Sequence, residues 1–192
     1  MGKFSMPENV SIFLEEEEKK RLYQAIKTYS NEQTAKEIVR SAESPLQFSK
    51  EKRAQWVHDV CSLLEQNFCD DIVRKIRMSC YCDENGRLDE TKKWLKEIYT
   101  ECDENIETFV KKMNQNGAGW YIKDNALFTK MFVCECPMLE GVEKLPTKTW
   151  CYCTAGNSKA IFDFVFDFEV DVELLKSIKM GDEFCLLKVS KK

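Results

Sequence analysis

The feature that most constrains this chain is a change of hydrophobic period near Gly117 and Gly119. Before it, apolar residues recur three and four apart, as one face of a helix requires. After it they come in short runs separated by turn residues, as strands do. The third helix shows the first pattern most plainly: Ser49 can cap a segment bearing Ala54, Val57, Val60, Cys61 and Leu64. A first helix is expected from about Val10 to Thr28, where Glu15–Lys19 and Glu16–Lys20 stand four apart with the acid first. A second opens after Asn31 and ends by Pro45. Others cover Asp70 to Met78, about Asp89 to Cys102, and Ile106 to Met113, with a turn at Asn85-Gly86.

Beyond Gly119, Trp120–Ile122 reads as a short strand, Lys123-Asp124-Asn125 as a turn, and Leu127–Cys136 as a second strand. Thr147–Cys153 reads as a third. A helix follows, opening near Thr154 to Asn157 and carrying Ala160, Ile161, Phe164 and Val165. Val170–Ile178 and Phe184–Val189 form a last strand pair about Met180-Gly181-Asp182. Helices followed by strands predict an α+β fold: N-terminal helices, then an antiparallel sheet of four or five strands with one inserted helix. The expected division is a helical part over residues 1–69 and a cysteine-rich α+β part over 70–192, close enough in character to form one unit; the change near Gly117 marks subdomains at most.

The chain has 192 residues, of which 43% are hydrophobic and 32% charged, so it can bury a core without covalent staples. Its net charge of −4 gives no general attraction to nucleic acid or to anionic membranes. No apolar run approaches the ~20 residues of a membrane span. Met1–Met6 carries neither a signal core nor an Arg-rich transit pattern, so a cytoplasmic location is expected.

Ten cysteines in such a chain point to reduced or metal-bound thiols rather than a disulfide framework. Six fall in three Cys-x-Cys pairs: Cys80 and Cys82, Cys134 and Cys136, Cys151 and Cys153. Alternate residues of a strand share a face. If the strands holding Cys134/Cys136 and Cys151/Cys153 pair, four sulfurs meet on one side of the sheet, as a zinc site needs. Cys80 and Cys82 can complete or cover it. Zinc ranks ahead of an iron–sulfur cluster, and the bland alternatives are buried core thiols or a reducible disulfide. Cys61, Cys102 and Cys185 lie among periodic apolar residues, where cysteine is a small core side chain.

Cys153, at the start of a helix, is also a candidate nucleophile. Its usual partner would be histidine, and the one histidine, His58, sits on a distant predicted helix. The acidic run Glu15–Glu18 reads as a solvated helix face. Trp120 and Tyr121 can line a ligand pocket or fill a core. Gly117-Ala118-Gly119 lacks the strand-before, helix-after setting of a dinucleotide loop, and no P-loop, serine nucleophile elbow or zinc-protease motif is present.

Phe132–Pro137, Thr149–Gly156 and Val170–Cys185, in that order, resemble an uncharacterised cysteine-rich bacterial family, mostly of anaerobes. In that family Cys-x-Cys pairs precede a helix and a closing hairpin ends in Gly-x-x-x-Cys, here Gly181 to Cys185. More remotely the chain is similar to L-2-amino-thiazoline-4-carboxylic acid hydrolase-like proteins and 4-vinyl reductase ligand-binding domains. The resemblance spans about Arg77 to Val189 and implies a small-molecule pocket between sheet and helices; no catalytic residue carries over. Three functions follow as expectations. The first is a metal- and ligand-binding domain. The second is a hydrolase of a small cyclic amidine or thioester-like substrate, using Cys153 or a metal-bound water. The third is a dithiol redox protein.

Overall fold

The computed structural model describes residues 8–41, 49–81 and 87–192, the side chains at 8–15 and 41 excepted. The expected Glu15–Lys19 pair, Pro45, Cys82 and the Asn85-Gly86 turn lie outside what is described. Among the described residues there are seven α-helices and a four-stranded antiparallel sheet, an α+β fold. Contacts group the chain into two compact units. Residues 1–80 and 135–150 form the first, residues 81–134 and 151–192 the second.

The first unit holds α1 (Glu8–Tyr29), α2 (Glu32–Ser41), α3 (Lys50–Asn67) and α4 (Asp70–Met78). The expected caps are present: Asn31 Oδ1 accepts from the Thr34 N–H at 2.9 Å, and Ser49 Oγ from the Lys52 N–H at 3.4 Å. On α3, Trp56, Val57, Val60, Cys61 and Leu64 are buried while Gln55 and His58 face outward, the one-sided pattern that drives this helix into a core. Among the described side chains of α1, ion pairs form three apart: Lys20 meets Glu17 at 2.7 Å and Arg21 meets Glu18 at 2.9 Å. Glu18 is thereby turned inward, where its other oxygen accepts from Arg77 Nη1 at 2.7 Å. Arg77 is fully buried; its Nη2 donates to the Trp150 carbonyl at 3.3 Å, and its guanidinium lies 3.9 Å over the Trp150 ring. Trp150 in turn meets Trp56 edge to face at 5.6 Å. The same segment is held by Arg53, which donates to the Pro137 carbonyl, and by Thr149, which donates to Glu65.

The second unit holds α5 (Arg87–Glu101), α6 (Ile106–Gln115), α7 (Tyr152–Phe166) and strands β1 (Tyr121–Lys123), β2 (Ala126–Met131), β3 (Val170–Lys176) and β4 (Cys185–Lys191). The sheet order is β1-β2-β4-β3. Asp124 and Asn125 both adopt positive φ, 50° and 59°, as the tight β1–β2 hairpin requires. Leu127, Leu187, Val189, Val172 and Leu174 are buried on one sheet face. Helix α7 packs on β3 and β4, and α5 on α7. Trp120 meets Phe109 and Phe162 edge to face, so it belongs to an aromatic core and not to a pocket wall. Asn105 caps α6 by accepting from the Thr108 N–H at 2.9 Å. Asn105→Ala is expected to lower thermal stability by about 1 kcal/mol, measured by calorimetry.

Two expected strands are corrected. The second ends at Met131 instead of Cys136, because its partner β4 begins at Cys185, which sits opposite Met131. Residues 132–136 therefore have no ladder to join. Thr147–Cys153 is not a strand: β4 occupies the place beside β2, and helix α7 already opens at Tyr152 with the Thr154 N–H donating to the Cys151 carbonyl at 3.0 Å.

Candidate functional site

With those strands gone, no shared strand face gathers the sulfurs of residues 134, 136, 151 and 153. The second unit nevertheless brings thiols together by another route. Cys185, the first residue of β4, and Met131 share the inner sheet face. Cys151 is the N-cap of α7 and 7% exposed, and Cys153 lies on its first turn. Cys134 follows β2, half-buried. Cys151 lies within electrostatic reach of Cys153, Cys185 and Cys134, and Cys185 within reach of Cys134.

The link between β3 and β4 organises this group. Ser177, 2% exposed, donates its hydroxyl to Cys151 Sγ at 3.3 Å, and the Ile178 N–H donates to Cys185 Sγ at 3.4 Å. Ser177 is fixed in turn: its N–H donates to Asp182 Oδ2 at 2.9 Å and its Oγ accepts from the Lys179 N–H at 3.2 Å. Gly181 closes the turn with φ 96°, a conformation that only glycine adopts without strain. The spacing Ser177, Gly181, Cys185 thus has a mechanical reason: the turn brings a hydroxyl and an N–H to two sulfurs.

Electrostatics keep these thiols protonated. Burial above all, and then the neighbouring Cys153, Cys185 and Cys134, push the Cys151 thiol up to about 12, against the lowering effect of the Ser177 hydrogen bond. Cys185 is also raised, first by burial, with the Ile178 N–H acting the other way. At neutral pH neither is a nucleophile as it stands. Among the described residues, no three His, Cys, Asp or Glu side chains stand in an arrangement that could hold one metal ion.

The other expected residues are placed elsewhere. Cys80, 1% exposed, belongs to the first unit and donates its thiol to the Ile76 carbonyl at 3.2 Å, capping the last turn of α4. Cys136 also belongs to the first unit, as N-cap of a 3₁₀ turn over Pro137–Leu139. Cys61 and Cys102 are core residues, as expected. His58 is exposed beside its own neighbour Asp59, 3.4 Å away. Cys185 is buried in the core, as its alternating strand predicts, and its place beside this thiol group, like the role of Ser177, is signalled only by the hairpin ending in Gly-x-x-x-Cys.

The first unit carries an open depression of about 330 Å³ lined by Lys20, Arg21, Gln24, Ala25, Thr28 and Ser79. Among the described residues, no helix is long and apolar enough to cross a membrane. No curated protein and no solved structure matches the chain. The model of a family of unknown function, DUF6144, does match it, over residues 12–192, nearly the whole length, including every thiol of this group. The chain belongs to that family.

Proposed function

We propose that the second unit binds a thiophilic metal ion, zinc ahead of an iron–sulfur cluster, through Cys134, Cys151 and Cys185, with Cys153 as a fourth ligand. The observation that carries this reading is the buried Cys151 thiol among three other thiols, with a hydroxyl aimed at its sulfur and an N–H aimed at that of Cys185. Thiolates are the soft donors that zinc selects, and such donors are the outer partners that orient and tune thiolate ligands. Like groups that burden one another as thiolates are relieved by a divalent cation, which replaces repulsion with attraction. Ligation requires the sulfurs to draw closer. Cys134, in a segment outside the sheet ladder, can move at the least cost. Cys80 and Cys136, in the first unit, leave the ligand set, and Cys185 enters it.

Because the Cys151 proton must be displaced, affinity is expected to rise with pH. The test is metal content after anaerobic, chelator-free purification, followed by zinc titration. About one zinc per chain is expected. Ser177→Ala should weaken binding roughly 10–100-fold, as loss of an outer partner does, and Cys151→Ser or Cys185→Ser should weaken it more. No metal, together with Cys151→Ser and Cys185→Ser variants of unchanged stability, overturns the reading.

A second reading is hydrolytic, on a small cyclic amidine or thioester-like substrate. It is favoured by Cys153 on the first turn of α7, where backbone N–H groups lacking helical partners favour negative charge. It predicts one fast-reacting thiol, at Cys153, in alkylation followed by mass spectrometry.

A further inference from the structure

The opposite face of the same sheet has a different chemistry. In antiparallel pairs, residues directly opposite point to one side, so Tyr121, Phe128 and Lys188 share a face, as do Lys176 and Leu186. Tyr121 stacks on Phe128 with centroids 4.8 Å apart and planes 6° apart, and it remains 36% exposed. Phe132, 55% exposed, meets Phe184 at 6.1 Å. Lysines rest on these rings: Lys130 lies 4.6 Å from the Phe184 centroid and 5.9 Å from that of Tyr121, and Lys176 lies 5.2 Å from Phe184. The chain is net acidic, and most of its lysines with described partners pair with carboxylates; these two pair with rings instead. Two carboxylates share this face: Asp171 opposite Ser190, and Glu173, in the middle of β3, directly opposite Lys188, which leaves Lys130 and Lys176 as the cations set on the rings.

We propose that this outer face docks single-stranded nucleic acid, with bases stacking on Tyr121 and Phe132 and phosphates meeting Lys130 and Lys176. The overall charge predicts no such partner; the local charge does. Magnitudes favour the exchange. A base takes a ring for about 1–3 kcal/mol, while the lysine it displaces gives up roughly 0.5–1 kcal/mol and gains a phosphate.

The experiment is fluorescence anisotropy of labelled oligo(dT) and oligo(U) with the full chain, at about 50 and about 200 mM salt. Saturable binding is expected, weakening roughly sevenfold over that range if two phosphates are neutralised on a single strand. Phe132→Ala and Tyr121→Ala should each weaken it on the order of tenfold at unchanged salt slope, and Tyr121→Phe should restore it. Lys130→Ala should lower the salt slope by about one. Thermal midpoints confirm that each variant folds, and Lys130→Glu, at a half-exposed surface position, tests the surface should an aromatic variant unfold. Absence of saturable binding at low salt, or folded variants that bind like the parent, overturns the proposal. Displacement of the oligonucleotide by polyglutamate at equal charge concentration also overturns it, and assigns the face to an acidic polypeptide.

Discussion

Arg77→Ala should remove about 3–5 kcal/mol of stability. The substitution leaves Glu18, a carboxylate only 5% exposed, without its buried cation, and it strips the Trp150 carbonyl and ring of their partner. The loss comes from the charge left behind more than from the value of the pair. Arg77→Met combined with Glu18→Leu should therefore recover most of the stability, since an apolar pair of similar volume avoids the desolvation cost. Urea unfolding followed by circular dichroism measures both. A double variant no more stable than Arg77→Ala alone would mean that the contact with Trp150, not the ion pair, holds this part of the core.

The second large effect is alkaline. An unfolded cysteine ionises near 9.0, while Cys151 in the folded, metal-free chain holds its proton to about 12. Between those values the folded state binds one more proton than the unfolded state, so stability is fully present below about 9 and falls as pH rises. The slope is about 1.4 kcal/mol per pH unit, and the total over the window is roughly 4 kcal/mol. Cys185, also raised, acts in the same direction. Cys151→Ala lacks this titration, and its urea midpoint should fall less steeply between pH 9 and 11 than that of the parent chain. Equal slopes would show that the Cys151 thiol is hydrated and not buried as described.

How far this could be foreseen varied with how local the cause was. Helix α4 was readable to the residue because its apolar spacing, its acidic first turn and its basic last turn all lie within Asp70–Met78. The β3–β4 pair was readable for the same reason, its turn being written in Met180-Gly181-Asp182. The alternation Thr149-Trp150-Cys151-Tyr152-Cys153 suits a strand equally well, and nothing local shows that β4, more than thirty residues on, takes the position beside β2. The Cys-x-Cys pair at 134 and 136 misled in a similar way. Its two members lie in different units, a division set by long-range packing. Cys185 is the core residue that its alternating strand predicts, and only the Ser177–Gly181 turn adds the N–H aimed at its sulfur.

The chain passes from the first unit to the second after residue 80, returns at 135 and leaves again after 150. A nascent chain ending at residue 80 already contains Arg77 but not the indole that will lie over it. At about 5–20 residues per second, the ribosome takes roughly 4–14 s to deliver residue 150. For that interval the helices wait with a guanidinium uncovered, and when it ends the two strands that complete the sheet, β3 and β4 with Cys185, are still unsynthesised.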